Sequence, residues 1–142
     1  MDRNALRNLD DVTLLALLVY GEARGEPIEG QVAVACVVRN RVNQSNKSWQ
    51  DVMLQPLQFS CFNPGDPNLQ KILTLVENPE FGGKILQQCR WVAEGVYRGL
   101  ILDNTGGATH YVTHPLYTSP KAPAWVHKLQ FCGVIGRHVF LK

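Results

Sequence analysis

The sequence predicts an α+β domain that is mainly helical, with a small antiparallel sheet in its C-terminal third. Three observations carry this. Apolar residues recur at helical spacing as far as Arg98, and after Gly106-Gly107 the composition turns to that of strands and Pro-rich loops. The third is size: 142 residues, 45% of them hydrophobic, make one domain with a real core, here 1–142 with 1–9 as an N-terminal extension.

The first helix starts at a cap supplied by Asp10 or Asp11. Its apolar positions Leu14, Leu15, Leu17, Leu18 and Val19 leave little polar face, which places it centrally in the core. Gly21, Gly25 and Pro27 mark its end, so Glu22 falls in the last turn. A second helix starts near Ile28 or Glu29 and runs to about Asn43. Val32, Ala35, Cys36 and Arg39 share one stripe, with Gln31, Arg39, Asn40 and Arg41 at polar edges.

Ser45 to Ser48 reads as a loop and Trp49 to Leu54 as a short helical turn. Gln55 to Asn68 holds three prolines and a glycine, an irregular loop exposing Phe59 and Phe62, of the kind that carries binding residues. Leu69 to Val76 and Lys84 to Arg98 are two further helices, parted by Asn78-Pro79 and Gly82-Gly83. Ala108 to Val112 and Val134 to Phe140 are the strands, with Thr113 to Trp125 a loop between them.

A net charge of +2 without a basic run longer than two residues argues against a nucleic-acid partner. No stretch suits stable membrane insertion, and the start lacks the basic and long apolar regions of a signal peptide, so synthesis in the cytoplasm is expected. Cys36, Cys61, Cys89 and Cys132 show no C-x-x-C spacing and read as buried free thiols. His110 and His114 stand four apart, but in extended chain that is about 13 Å, so no metal site and no cofactor is expected.

Cleaving a glycosidic bond needs a proton delivered to the leaving oxygen, and an apolar setting keeps a carboxylic acid able to supply it. Glu22 meets the requirement: it ends an apolar helix beside Val19 and Tyr20, and Gly21 leaves room for a ligand. Glu26 follows at i+4, beyond the expected helix break. From spacing alone, two solvated acids at a helix end is the favoured reading, because Glu is usually exposed.

The run Leu17-Leu18-Val19-Tyr20-Gly21-Glu22-Ala23-Arg24-Gly25-Glu26-Pro27 resembles the opening motif of the SleB-type cell wall hydrolases, among them spore-cortex lytic enzymes of bacilli and phage relatives. The likeness continues through Val37-Val38-Arg39-Asn40-Arg41-Val42, Gln58-Phe59-Ser60-Cys61-Phe62, Gly107-Ala108-Thr109-His110-Tyr111, Pro123-Ala124-Trp125 and Ile135-Gly136-Arg137-His138-Val139-Phe140. It implies a lysozyme-like catalytic domain whose essential acid is Glu22, acting on peptidoglycan glycan strands between N-acetylmuramic acid and N-acetylglucosamine. The expected chemistry is that of a lytic transglycosylase, leaving 1,6-anhydro-muramic ends. Alternatives are muramidase-type hydrolysis with a second acid among Glu26, Asp66 and Asp103, a non-catalytic peptidoglycan-binding module, and an amidase using zinc or a cysteine.

Ser60, Tyr111, Phe59 and Glu26 are the candidate substrate-binding residues, with a monomer expected. Ser60 lies where relatives carry a groove hydroxyl, and Tyr111 offers an aromatic face and a phenol to a sugar. Phe59, Phe62 and Trp125 also read as core or loop anchors, and Arg24 as an ion-pair partner of Glu26 or Glu29. Spore-cortex members carry an export signal and a wall-binding domain ahead of this unit, and their sheet motif runs into Asn-Pro. Thr109-His110-Tyr111-Val112-Thr113-His114-Pro115 departs from that motif, which favours a phage-type or stand-alone lysin acting at the bacterial wall.

Overall fold

The computed structural model describes residues 3–142. The first helix, α1 (Asp11–Ala23), begins where Asp10 accepts the Thr13 N–H at 3.2 Å. Leu14 to Val19 are all buried, so a helix apolar on every side becomes the axis of the domain. Arg24 to Pro27 break it: Pro27 excludes helical geometry from the residue before it, and its carbonyl then accepts from Gly30 and Gln31 to open α2 (Ile28–Gln44). The expected polar edge of α2 is narrower than its sequence suggests, because Gln31 is 1% exposed and Gly30 to Val38 are buried without a gap. Gln31 is accommodated by the side-chain amide of Gln88 at 3.1 Å.

The short α3 (Trp49–Met53), α4 (Pro67–Glu77) and α5 (Gly83–Tyr97) complete the helical layer, with α1 packed chiefly on α5 and α2 also against α5. Asp66 caps α4 by accepting the Asn68 N–H at 2.8 Å. The 3-10 turn Arg3–Asn8 is no loose extension. Leu6 is fully buried in the main core, and Arg3 donates to the carbonyls of Phe62 and Leu54, both at 2.7 Å.

The sheet corrects the expected strands. β1 (His110–Thr113) pairs antiparallel with β3 (His138–Leu141), which pairs on its other edge with β2 (Phe131–Ile135), giving the order β1-β3-β2. The expected strand Val134 to Phe140 is therefore a hairpin folded at Gly136-Arg137. Gly136 takes φ 58°, which a tight turn allows to glycine at little steric cost. The loop expected over Thr113 to Trp125 includes a helical turn, α6 (His114–Tyr117), capped by Thr113. As the central strand, β3 is buried along its whole length: Phe140 joins Ala33, Val37 and Tyr111 against α2, while Val139 and Leu141 pack with Val112 and Val126.

Candidate active site

Glu22, in the last turn of α1, projects into a cleft of about 660 Å³ between the helical layer and the sheet. The 3-10 turn Ser60–Phe62 forms the near wall and β1 the far wall. Three donors converge on the carboxylate. Ser60 Oγ donates to Oε2 at 3.0 Å, the Cys61 N–H to the same oxygen at 3.2 Å, and the Tyr111 phenol to Oε1 at 2.5 Å. Hydrogen-bond donors, not the greasy wall expected from α1, therefore surround these oxygens.

The structure brings Glu22, Ser60 and Tyr111 together from three separate stretches of chain. Burial pushes the Tyr111 phenol well above the usual tyrosine range, and the adjoining Glu22 carboxylate adds to it, so Tyr111 stays a donor. Its ring packs edge-on to His138 at 5.1 Å and near Phe140 at 5.9 Å, which fixes where the hydroxyl points. The Cys61 thiol is also raised well above its ordinary value, first by burial and then by Glu22. A buried, protonated thiol is a poor nucleophile, which removes the support for cysteine chemistry.

Gly21 lines the cleft, as its lack of a side chain suggests, and does a second job as well. A Cβ there would lie 2.6 Å from Cys61 Cβ and 2.8 Å from Ile72 Cδ1, so its missing side chain makes room for the turn that carries Cys61.

Two expected sugar contacts are corrected. Phe59 is 1% exposed, as is Phe62, so neither ring is displayed by the loop. Phe59 lies instead beneath the Arg41 guanidinium, 4.9 Å from its ring centre, and cannot stack on a sugar. Glu26 is held by the sheet: its Oε1 accepts the Arg137 N–H at 2.7 Å and stands 3.2 Å from His138 Nδ1, with the side chain only 7% exposed. Gly136 permits this, since a Cβ there would come within 2.7 Å of that oxygen. Glu26 thus ties the β2-β3 turn to the start of α2.

The other acids are also committed. Asp66 caps α4, and Asp103 accepts from Thr105, Asn40 and Gly107. Burial alone would raise the Asp103 carboxyl, but these hydrogen bonds outweigh it and hold the group below the usual carboxylate range. Arg24 makes no ion pair with Glu26 or Glu29. It donates to the Tyr20 carbonyl at 3.1 Å and to Asn68 Oδ1 at 2.9 Å.

Four groove residues were not singled out by sequence as groove walls. Trp125, 40% exposed, faces the cleft with its ring 5.3 Å from that of His110. Arg41 and Asn68 line the same space. The motifs Pro123-Ala124-Trp125 and Asn40-Arg41-Val42 were the available signals. Burial, then the charge of Arg41, holds the His110 imidazole below its ordinary pKa, which keeps it neutral at pH 7. Among the described residues no cluster of three or more His, Cys, Asp or Glu is placed to hold a metal ion. Cys36, Cys61, Cys89 and Cys132 are free, with Cys132 only half-buried.

A second cleft of about 390 Å³ shares Gly21, Glu22, Asn68, Thr113 and His138 with the first. Glu22 therefore stands where two clefts meet, part-way along a groove rather than at the bottom of a closed pocket. Residues 25–141, which include most of this groove's walls, match the family described as Cell Wall Hydrolase. The chain belongs to the cell wall hydrolase family. Glu22 precedes the matched stretch by three positions, but longer similarities reach it. A spore cortex-lytic enzyme of Halalkalibacterium halodurans is 32% identical over 92% of the chain, and that of Oceanobacillus iheyensis 32% identical over 94%. The chain spans 34% and 42%, respectively, of the length of these relatives. Among solved structures, the catalytic domain of the germination-specific lytic transglycosylase SleB from Bacillus anthracis superposes with a TM-score of 0.66 at 28% identity, covering 93% of each chain. The mainly helical cell wall hydrolase fold with its three-stranded sheet is thus shared with that domain.

Proposed function

We propose that this chain cuts peptidoglycan glycan strands between N-acetylmuramic acid and N-acetylglucosamine by the lytic transglycosylase route, with Glu22 as its acid and base. The observation that carries the reading is a single carboxylate, gripped by three donors, at the junction of an open groove whose one other acid, Glu26, is tied into the scaffold. In the first step Glu22, as the acid, protonates the bridging oxygen while the bond from the muramic C1 to that oxygen breaks. The sugar becomes oxocarbenium-like and the N-acetylglucosamine end leaves as an alcohol. In the second step the muramic C6 hydroxyl attacks C1 and gives its proton to the Glu22 carboxylate, closing the 1,6-anhydro ring and restoring the acid. No water and no second carboxylate is consumed.

The three donors suit the step in which Glu22 is charged. Ser60 has a further property: its hydroxyl rotates, donating to the carboxylate in one step and accepting from the carboxylic acid in the other. Tyr111 and the Cys61 N–H hold the carboxyl in place throughout. Trp125 offers an aromatic wall to a sugar face. One copy of the chain carries the whole groove, so a monomer suffices, acting at the bacterial cell wall.

Hydrolysis is the competing outcome, and product mass separates the two. Purified wall sacculi digested by the wild type are expected to yield anhydro-muramic ends, each lighter by one water than the hydrolysed end. Glu22→Gln is expected to release none. Reducing muramic ends would replace the lytic route with hydrolysis, and released stem peptides would overturn the glycan-cleaving reading.

A further inference from the structure

The central cleft continues beyond Tyr111. Arg41, Gln58 and His110 line it and also line a side cleft of about 300 Å³, walled further out by Gln44, Ser45, Lys47 and Gln55. This branch is positive. Arg41 and Lys47 line it and no carboxylate does; Asp51, the acid nearest in sequence, is not among its walls. The C-terminus of α2 also points here and carries about half a negative charge. Its last carbonyls are partly satisfied by the Ser45 N–H, and two full positive charges outweigh it.

Arg41 is held for recognition more than for packing. Its Nε donates to the Thr109 carbonyl at 2.6 Å and its Nη1 to Gln58 Oε1 at 3.2 Å, with Phe59 beneath the guanidinium plane. Among the described residues it has no carboxylate partner, and its Nη2 makes no hydrogen bond. A part-buried guanidinium, fixed in orientation and lacking an anion, is suited to bind one from outside. It also lies within electrostatic reach of Tyr111, whose phenol grips Glu22, so the mouth of the branch adjoins the acid.

Muramic acid differs from the other sugar of the strand by a lactyl arm on C3, which bears a short peptide rich in carboxylates. A muramic ring seated for cleavage must send that arm out of the main groove. We propose that the side cleft receives this anionic stem peptide, Arg41 binding near the sugar and Lys47 further out, so that peptide-bearing strands are preferred. The inference rests on the glycan-cleaving reading of Glu22.

The test compares strands with stem peptides intact and the same strands stripped by an amidase, scoring kcat/KM from new anhydro ends. Wild type is expected to favour the intact strands about tenfold, the scale of one or two partly exposed charge contacts. Lys47→Glu, a reversal at an exposed position, is expected to raise KM on intact strands and bring the ratio close to one. Raising the salt to about 0.5 M is expected to shrink the wild-type ratio through screening. Equal wild-type rates on both strands, or a preference that survives both Lys47→Glu and salt, would overturn the side-cleft assignment while leaving Glu22 chemistry intact. If wild type cuts neither strand, the glycan-cleaving reading itself fails.

Discussion

Tyr111→Phe isolates one of the three hydrogen bonds at Glu22. The ring keeps its place against His138 and Phe140, and only the hydroxyl 2.5 Å from Oε1 is lost. A hydrogen bond to a charged group contributes about 1.5–3 kcal/mol, and each 1.36 kcal/mol is tenfold in rate. If the phenol holds the carboxyl for proton transfer, kcat falls about 10- to 150-fold. KM changes little, because Tyr111 then acts on Glu22 rather than on the sugar. The assay is turnover of soluble glycan strands with product mass recorded, alongside a thermal melt to confirm folding. A kcat within about threefold of wild type would refute the positioning argument, and a rise in KM with kcat unchanged would make Tyr111 a sugar contact instead.

Gly21→Ala puts a methyl group 2.6 Å from Cys61 Cβ, and the turn carrying Ser60 must shift to admit it. The expected loss is about 1–3 kcal/mol of stability by denaturant melt, with activity reduced beyond what unfolding explains. Glu26→Ala is expected to cost a similar amount, about 1–3 kcal/mol, by leaving the Arg137 N–H without its carboxylate acceptor. Glu26→Gln, which keeps an acceptor oxygen, should recover most of that stability, and anhydro products should persist in both variants; their disappearance from a folded Glu26→Gln would reinstate a second catalytic acid. Stability should fall as pH rises past about 9, the ordinary thiol value. Cys61, Cys89 (pushed up to about 11 by burial) and Tyr111 stay protonated when folded, whereas the unfolded chain ionises, so the unfolded state binds fewer protons there. Urea midpoints at pH 8 and pH 10 measure this, and equal midpoints would contradict it.

Local order was legible wherever neighbours in sequence decide it. The Asp10 cap, the unbroken apolar run Leu14 to Val19 and the Pro27 break place α1 and α2 within a residue or two of their observed ends. The C-terminal strand was misread because Gly136-Arg137 interrupts β-type composition for only two residues, and a tight hairpin needs no more. The burial of the segment that carries Phe59 and Phe62 has a different cause. A Pro- and Gly-rich loop is normally a surface loop, but Arg3 fastens this one to the core from the far end of the chain.

By itself, then, the sequence determined the helical plan, the late sheet and the carboxyl at the end of α1. Each follows from side-chain periodicity, caps and chain breakers acting over a few residues. The tertiary structure alone decided that Ser60, the Cys61 N–H and Tyr111 meet at that carboxyl, that Glu26 is spent on a turn, and that Arg41 opens onto the side cleft. Those facts depend on contacts between residues 38 to 111 positions apart, and on a backbone N–H whose direction no residue type encodes.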